Sequence, residues 1–204
     1  TEALGLRDGP LEDRVDRALE DPVPVDLISD GHRHAVTSCV TGFPAAVNVR
    51  AEAMRFPRGR SRYTLATLAE LPGMRPGRYR LTLDGEVVDL AAAVVVVANT
   101  AFFGGGMRIC PDADPTDGLL DVCVVGEVGR LSLLRSFAKV RTGAHLDHPD
   151  VSMFRAATVG IGSLDAEPDL RADGEPFGSL PCSLAVRPGA VWVAGARTTP
   201  PGRA

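Results

Sequence analysis

Lysine is almost absent from this 204-residue sequence, and long apolar runs are absent altogether. Lys139 is the one lysine, so arginine supplies nearly all of the positive charge. With a net charge of −4, the chain lacks the basic excess that is typical of nucleic-acid-binding proteins, so we expect no nucleic-acid partner. The longest apolar run, residues 90–98, is too short to span a bilayer, because a membrane helix needs about 20 apolar residues.

Signals for export, for zinc and for common nucleotide loops are also missing. The first residues lack a starting Met, a basic segment and an apolar core, so we expect no signal peptide. The four cysteines form no C-x-x-C pair, which argues against a zinc ribbon and favours reduced, buried thiols in a cytoplasmic protein. The glycines at 104–106 are not followed by Gly-Lys-Ser/Thr, so they are not a P-loop.

Glycine and proline, by contrast, are abundant, with 22 and 16 residues. Both interrupt regular structure, so their number predicts many turns and many short strands. Asp-Gly, a strong hairpin signal, occurs five times, and four of the pairs lie next to strand-like runs. The pairs begin at Asp8, Asp30, Asp84, Asp117 and Asp173. The sequence therefore predicts a mainly β, α+β domain, built as an antiparallel sandwich or meander with a few helices.

Hydrophobic periodicity locates the individual elements. Alternation of apolar and polar residues predicts strands at 23–28, 34–40, 78–83, 87–98, 119–125, 157–161, 184–186 and 191–193. Apolar stripes at helical spacing predict helices at 10–20, 44–55 and 131–141. Residues 87–98 end in a valine run that is apolar on both faces, which is typical of a strand covered on both sides.

Three segments contain residues of the types that bind ligands or take part in catalysis. The glycines at 104–106 can form a bulge or bring backbone amides close to a ligand. Three aspartates lie within residues 112–117, as in a Mg²⁺ site or in a solvated turn. Asp173 and Glu175 flank a glycine between two strands, where they can bind a metal, accept a proton from a hydroxyl or belong to an ordinary hairpin. The local sequence leaves each choice open.

Two further groups also have more than one interpretation. Four arginines at 55, 58, 60 and 62 are interleaved with Phe56 and Tyr63, and this stretch can contact anionic head groups or form a mobile solvated loop. His32 and His34 share a strand face, but no third ligand is evident. Solvated or hydrogen-bonded histidines are therefore the alternative to a metal site.

Taken together, these segments resemble the diacylglycerol kinase-like lipid kinases, a family that includes bacterial diacylglycerol kinases and sphingosine kinases. The resemblance rests on FFGGGMRICPDADPTDGLLDVCVV (102–125), RTGAHLDHPDV (141–151) and RADGEPF (171–177), whose order and spacing match the family. It extends from about Val23 to Ala194. The combination of G-G-G-M with D-G-L-L-D-V is specific, whereas D-G-E alone is not.

The resemblance implies a protein of two lobes. An N-terminal α/β lobe carries a G-G-D-G-T motif for ATP, and a C-terminal β-sandwich lobe, also found in NAD kinases, completes the active site. This sequence contains no G-G-D-G, so it resembles the second lobe alone. We therefore expect residues 1–22 to be a remnant helix after the missing nucleotide-binding lobe, 23–196 to be the sandwich domain and 197–204 to be a disordered tail.

The resemblance also implies roles for individual residues. Glu175 matches the proton acceptor for the lipid hydroxyl as it attacks the γ-phosphate of ATP, and Asp173 supports Mg²⁺-ATP or shares that role. Asn99 is expected to join these two residues in binding the nucleotide. The positions that match a structural Mg²⁺ site are Asp114, Asp117 and Leu119.

The substrate expected from the resemblance is a neutral lipid. Residues 42–46 lack the acid that relatives carry after the first hairpin, so an amine-bearing head group is not expected. Without the ATP lobe, we expect the isolated chain to be inactive. Such a substrate implies transient contact of a cytoplasmic protein with the inner face of the membrane, and exposed strand edges allow a homodimer. A non-catalytic lipid-binding module and a nucleotide kinase lobe of the NAD kinase kind remain the alternatives.

Overall fold

Short strands joined by tight turns make up most of the chain in a computed structural model that describes residues 3–6, 9–57, 59–104, 106–165 and 167–196. The expected disordered tail at 197–204 lies outside the described residues. The strands in chain order are β1 (Val23–Ser29), β2 (His34–Ala35), β3 (Ser38–Gly42), β4 (Gly77–Leu83), β5 (Glu86–Ala92), β6 (Val94–Ala98), β7 (Phe102–Phe103), β8 (Met107–Arg108), β9 (Leu120–Val125), β10 (Val151–Ala156), β11 (Thr158–Ser163), β12 (Asp169–Ala172), β13 (Glu175–Ser179) and β14 (Cys182–Val193).

The larger strands form two six-stranded sheets in which neighbours are antiparallel. The first sheet has the order β2-β1-β14-β11-β4-β5, and the second has the order β10-β9-β6-β3-β12-β13. The hairpin of β7 and β8 stands apart from both. Apolar side chains of both sheets, such as Leu81 and Leu184 from the first and Val97 and Val122 from the second, share one fully buried core. The predicted antiparallel β-sandwich of α+β class is confirmed.

Helices form a third layer on the outer face of the second sheet. They are α2 (Phe43–Ala53), α3 (Arg60–Glu70) and α4 (Arg130–Val140), and a separate helix, α1 (Leu11–Ala18), precedes β1. A second core joins this layer to the sheet, with Phe43, Ala66 and Leu133 packed against Val96 and its neighbours. The valine strand β6 is therefore buried on both faces, as its sequence predicts. Among the described helices, none combines the length and apolarity needed to cross a membrane.

Two predicted strands are each divided between the sheets, which the sequence analysis did not foresee. Residues 34–40 form β2 in the first sheet and β3 in the second, and residues 87–98 form β5 and β6 in the same way. The second crossover is at Ala93, whose carbonyl accepts the Phe43 N–H at 2.9 Å. Gly42 lies against this carbonyl with φ of 77°, and a Cβ there would be 2.6 Å from the oxygen. Glycine is therefore required at this close approach.

Helix α3 and strand β10 were not predicted from the sequence, and neither were the short strands β7 and β8 or the bounds of β12 and β13. Helix α3 begins inside the basic stretch that was open to interpretation as a mobile loop, so that interpretation is wrong for residues 60–62, and Arg58 lies outside the described residues. Strand β10 is an edge strand whose residues are mostly half-buried or exposed, and such strands show weak alternation. The predicted helices at 10–20, 44–55 and 131–141 are confirmed with small differences at their ends.

Candidate functional site

Asp173 holds the first crossover between the sheets. It occupies the turn between β12 and β13 with φ of 51°. Its carboxylate accepts the backbone N–H groups of Val36 at 2.7 Å, Thr37 at 2.9 Å and Ser38 at 3.2 Å, together with the Thr37 hydroxyl. Its own N–H donates to the Ser38 carbonyl at 3.0 Å. The side chain is thus occupied by four donors from the segment that links β2 to β3.

The same arrangement occurs a second time, at Asp84 in the other sheet. Asp84 has φ of 48°, and its carboxylate accepts the N–H of Ala157 at 3.0 Å and the N–H and hydroxyl of Thr158 at 2.7 and 2.9 Å. Its N–H donates to the Thr158 carbonyl at 3.0 Å. The two amides lower the pKa of Asp84. Ala157 links β10 to β11 and is itself a crossover, so both aspartates stabilise places where the chain changes sheet.

Each of these aspartates is the first residue of an Asp-Gly-Glu tripeptide, at 84–86 and at 173–175. The sequence analysis did not use this duplication, although it is visible in the sequence. Because Asp84 makes the same bonds in the turn between β4 and β5, the aspartate of the tripeptide can stabilise a crossover without a ligand. The glutamate that follows is exposed in both copies.

Glu175 begins β13 and is exposed. Within the described ranges, its carboxylate has neither a hydrogen bond nor an ion pair, in contrast to that of Asp173. The turn that carries it is nevertheless rigid, because Asp173 is tied to the crossover on one side and β13 is paired with β12 on the other. Glu175 is therefore an acceptor on a fixed backbone that is accessible to a ligand.

Arg171 also stabilises this turn. It is 4% exposed, on the face of β12 that points to the helices. The Nη2 of Arg171 donates to the Gly174 carbonyl at 3.1 Å, and the same atom pairs with Glu52 in the last turn of α2. The sequence analysis missed Arg171, although an arginine in a buried strand is itself a signal, since buried charges need specific partners. The pair connects the turn before Glu175 to the helical layer.

Asn99, expected at the nucleotide, is 1% exposed at the end of β6. Its Nδ2 donates to the carbonyls of Asp26 at 2.7 Å and Val36 at 3.0 Å, and its N–H donates to the Thr37 carbonyl at 2.9 Å. The Oδ1 atom is buried and has no partner among the described residues. Asn99 therefore braces the crossover that Asp173 holds, from the opposite side.

Asp26 connects Asn99 to the acidic turn by hydrogen bonds. It was not among the residues predicted from the sequence. It is 2% exposed in β1, and its carboxylate accepts the N–H groups of Gly118 at 2.8 Å and Gly189 at 2.7 Å. Its N–H donates to the Pro115 carbonyl at 2.7 Å. A lone acid inside the apolar run V-P-V-D-L-I-S was the available signal. Through Asp26 and Asn99, a continuous set of hydrogen bonds joins the turn at 173–175 to the turn at 114–118.

The acidic turn was predicted to hold Mg²⁺ through Asp114, Asp117 and the Leu119 carbonyl. Asp114 accepts the N–H and hydroxyl of Thr116, at 3.0 and 2.7 Å, and Asp117 accepts the Leu119 N–H at 2.9 Å. The other oxygen of Asp117 is paired with Arg155 of β10. The oxygen donors suit a hard cation. Among the described residues, however, no group of three His, Cys, Asp or Glu side chains is arranged to hold a metal.

Arg155 supplies positive charge to this region. Besides Asp117, its Nε lies 3.5 Å from a carboxylate oxygen of Asp121, which is 4% exposed in β9. Burial, helped by the neighbouring acids Asp117 and Asp112, raises the pKa of Asp121 to about 6 against the opposing effect of Arg155. One guanidinium thus partly balances the acids around the turn.

The histidines do not form a metal site in the described part of the chain. His32 and His34 are exposed. His145 is buried, and its Nε2 lies 3.0 Å from the Ile109 carbonyl. Burial lowers the pKa of His145, so its ring is neutral at physiological pH. His145 packs the segment that follows α4 against the segment that follows the glycines at 104–106.

Comparison with known proteins supports the resemblance seen in the motifs. Residues 37–195 match the family model described as the YegS C-terminal NAD kinase beta sandwich-like domain. A diacylglycerol kinase of Mycobacterium tuberculosis is 42% identical over 160 residues, which are 77% of this chain and 50% of that protein. A diacylglycerol kinase of Staphylococcus carnosus is 28% identical over 122 residues, or 60% of this chain and 40% of that protein.

Solved structures show the same fold. A diacylglycerol kinase from Bacillus anthracis superposes with a TM-score of 0.68 at 22% identity, over 92% of this chain and 61% of that chain. This chain spans about half the length of curated relatives that it matches. The family model, the level of identity and the shared fold agree, and the resemblance is confirmed: the chain belongs to the diacylglycerol kinase and YegS-like lipid kinase family and corresponds to its C-terminal β-sandwich domain.

Proposed function

We propose that this chain is the C-terminal lobe of an ATP-dependent lipid kinase, which transfers the γ-phosphate of ATP to the hydroxyl of a neutral, diacylglycerol-like lipid. The observation that carries the proposal is the exposed carboxylate of Glu175, which has no partner among the described residues, on a turn fixed by Asp173 and Arg171. Relatives that share this domain are named diacylglycerol kinases. ATP contacts come mainly from a nucleotide-binding lobe outside these residues.

In this proposal Glu175 accepts the proton of the lipid hydroxyl. The oxygen attacks the γ-phosphorus, the bond from that phosphorus to the β-γ bridging oxygen breaks, and ADP leaves. Phosphoryl transfer depends mainly on positioning and on charge stabilisation, so one well-placed acceptor is a sufficient contribution from this lobe. Asp173, with its four internal donors, acts as a positioning residue for Glu175. Asn99 affects the nucleotide site indirectly, because it stabilises the crossover between β2 and β3.

Mg²⁺ enters the proposal twice, with ATP and at the acidic turn. Bound to ATP, it neutralises charge on the phosphates. At the turn, Asp114, Asp117 and the Leu119 carbonyl would hold it as a structural ion. Because Arg155 already pairs with Asp117, a cation at the turn and this guanidinium compete for the same carboxylate. No chemical step depends on this second ion.

Replacing Arg155 by Gln should increase the affinity of the acidic turn for Mg²⁺ about tenfold, because it removes a positive charge in contact with Asp117. Calorimetric titration with magnesium chloride measures the change. The matched control is Arg80→Gln, which breaks another cross-strand arginine–aspartate pair, with Asp89, and should leave the affinity unchanged. Equal affinities in the native chain and in Arg155→Gln would contradict a shared site.

The lipid kinase function is tested by comparing this chain with the longer protein that contains a nucleotide-binding lobe. With Mg²⁺-ATP and diacylglycerol vesicles, we expect the longer protein to form the phosphorylated lipid and the 204-residue chain to form none. Turnover by this chain alone would exclude the two-lobe proposal. Lipid binding without any turnover in either protein would support a binding module, and phosphorylation of NAD without lipid turnover would support a nucleotide kinase.

We further propose that the protein is cytoplasmic and contacts the inner face of the membrane transiently. A diacylglycerol-like substrate resides in the bilayer, so the enzyme must approach the lipid surface to reach the hydroxyl.

A further inference from the structure

The outward face of α3 is unusual for a surface helix. Leu65 and Leu68 are 45% and 49% exposed, and Ser61, Thr64 and Ala69 share the exposed side with them. From residue 63 to residue 69 the helix carries no charged residue. Surface helices of globular proteins normally present charged side chains to solvent. Helix α3 therefore buries one apolar face in the protein and leaves a second one uncovered.

An exposed aromatic side chain precedes this uncovered surface. Phe56, in the segment between α2 and α3, is 86% exposed. Groups of large exposed apolar residues mark interaction sites more often than isolated ones do. We call the surface formed by Phe56, Leu65 and Leu68 the α3 face.

The stretch that forms the α3 face is rich in arginine, and the two acids that flank it, Glu52 and Glu70, are paired with Arg171 and Arg50. Residues 53–69 contain four arginines, at 55, 58, 60 and 62, and no aspartate or glutamate, although the whole chain has a net charge of −4. Arg55 is exposed, and the Arg62 guanidinium lies over the Tyr63 ring at 5.8 Å. An apolar surface with an exposed aromatic residue and adjoining arginines complements an anionic lipid surface. A neutral protein partner would not require this segregation of charge.

The α3 face is connected to the turn that carries Glu175. Glu52, four residues before Phe56, pairs with Arg171, and Arg171 donates to the Gly174 carbonyl. The turn of the proton acceptor is therefore tied to the end of the helix that leads into the α3 face. Another uncovered apolar stripe, formed by Leu11, Val15 and Leu19 on and just after α1, is interspersed with acids.

We propose that the α3 face docks on membranes containing anionic lipids, with Phe56, Leu65 and Leu68 entering the interface and Arg55 and Arg62 contacting the head groups. This inference rests on the proposed lipid kinase function, since it gives Glu175 access to a hydroxyl at the membrane surface. Anionic phospholipid is the occupant to which the charge pattern points, and a second copy of the chain is the competing occupant.

Sedimentation with vesicles tests the docking. The native chain should bind vesicles of equal parts phosphatidylcholine and phosphatidylglycerol, and bind pure phosphatidylcholine vesicles much more weakly. Arg55→Glu should lower the partition coefficient about fivefold or more. Phe56→Ser combined with Leu65→Ser should lower it about tenfold or more. All three residues are on the surface, and circular dichroism checks that the variants remain folded.

Matched controls separate docking from general charge and hydrophobicity. Arg187→Glu makes the same charge change on β14, in the sheet that faces away from α3, and should bind like the native chain. Leu11→Ser with Leu19→Ser removes equally exposed apolar residues from the α1 region and should also leave binding unchanged. Losses in these controls equal to those at the α3 face would overturn the proposal.

Two further outcomes would also overturn it: absence of binding to anionic vesicles by the native chain, and dimers that dissociate in Phe56→Ser with Leu65→Ser. The results distinguish an error in the docking proposal from an error in the proposed function. A longer protein that phosphorylates lipid while its binding ignores the α3 variants would exclude the docking alone. Binding that follows the α3 variants, in a protein that phosphorylates no lipid, would support the docking and exclude the kinase function.

Discussion

Glu175→Gln should reduce the turnover number of the intact lipid kinase about 100-fold or more, because a general base contributes at least this factor to such a step. Glutamine keeps the size of the side chain and its exposed position at the start of β13, but it cannot accept the proton. Since the Glu175 carboxylate has no partner within the described ranges, the substitution should leave the thermal stability unchanged. The measurement is the initial rate of lipid phosphorylation at saturating ATP.

The chain contains its own control for this experiment. Glu86 follows the second Asp-Gly pair, begins β5 and is exposed in the same way as Glu175. Glu86→Gln should therefore have the native rate. Glu175→Asp, which shortens the side chain but keeps the carboxylate, should retain more activity than Glu175→Gln. A rate near that of the native enzyme in Glu175→Gln would remove this residue from the role of proton acceptor.

Asp173→Asn should lower the turnover number by about 10- to 100-fold through displacement of the turn, because small misplacements of a reacting group have effects of this size. The amide replaces one acceptor oxygen by a donor that faces the N–H groups of the crossover. The carboxylate of Glu175 remains, so the pH profile of the residual activity should keep its shape while its height falls. Steady-state kinetics across a pH series measures both quantities.

Asp84→Asn is the matched variant for Asp173→Asn. It removes the same type of acceptor from an equivalent crossover, so the two variants should lose a similar amount of thermal stability. Only Asp173→Asn should lose activity. If Asp173→Asn changes the shape of the pH profile, or raises the Michaelis constant for Mg²⁺-ATP at an unchanged turnover number, Asp173 contacts the nucleotide or the proton directly and is not a positioning residue.

Most of the fold was predictable from local patterns. Alternation in residues 78–83 and the valine run before Asn99 correctly indicate strands, and the second correctly indicates burial on both faces. The division of residues 34–40 and 87–98 between two sheets was not predictable in this way. A period of two residues shows which faces of a strand are apolar, but it does not show to which sheet each half of the strand belongs.

The candidate site was predictable only in part, for a related reason. Glu175 and Asp173 stand in a recognisable tripeptide, so the sequence identifies them as candidates. Arg171, Asp26 and Arg155 act through partners that are distant in sequence, and a single sequence contains no signal of such pairs. Their type was nevertheless informative, because a charged residue inside an apolar run is retained only when the fold provides a partner for it.

The hydrogen bonds of the site connect residues that are very far apart in the chain. The bond from Val36 to Asp173 spans 137 residues, and the bond from Gly189 to Asp26 spans 163. Contacts of this separation close large loops, which is entropically costly and is characteristic of slow-folding β proteins. The turn that carries Glu175 should therefore reach its final position only when nearly the whole domain has been synthesised and folded, and shorter pieces of the domain should be unable to form it.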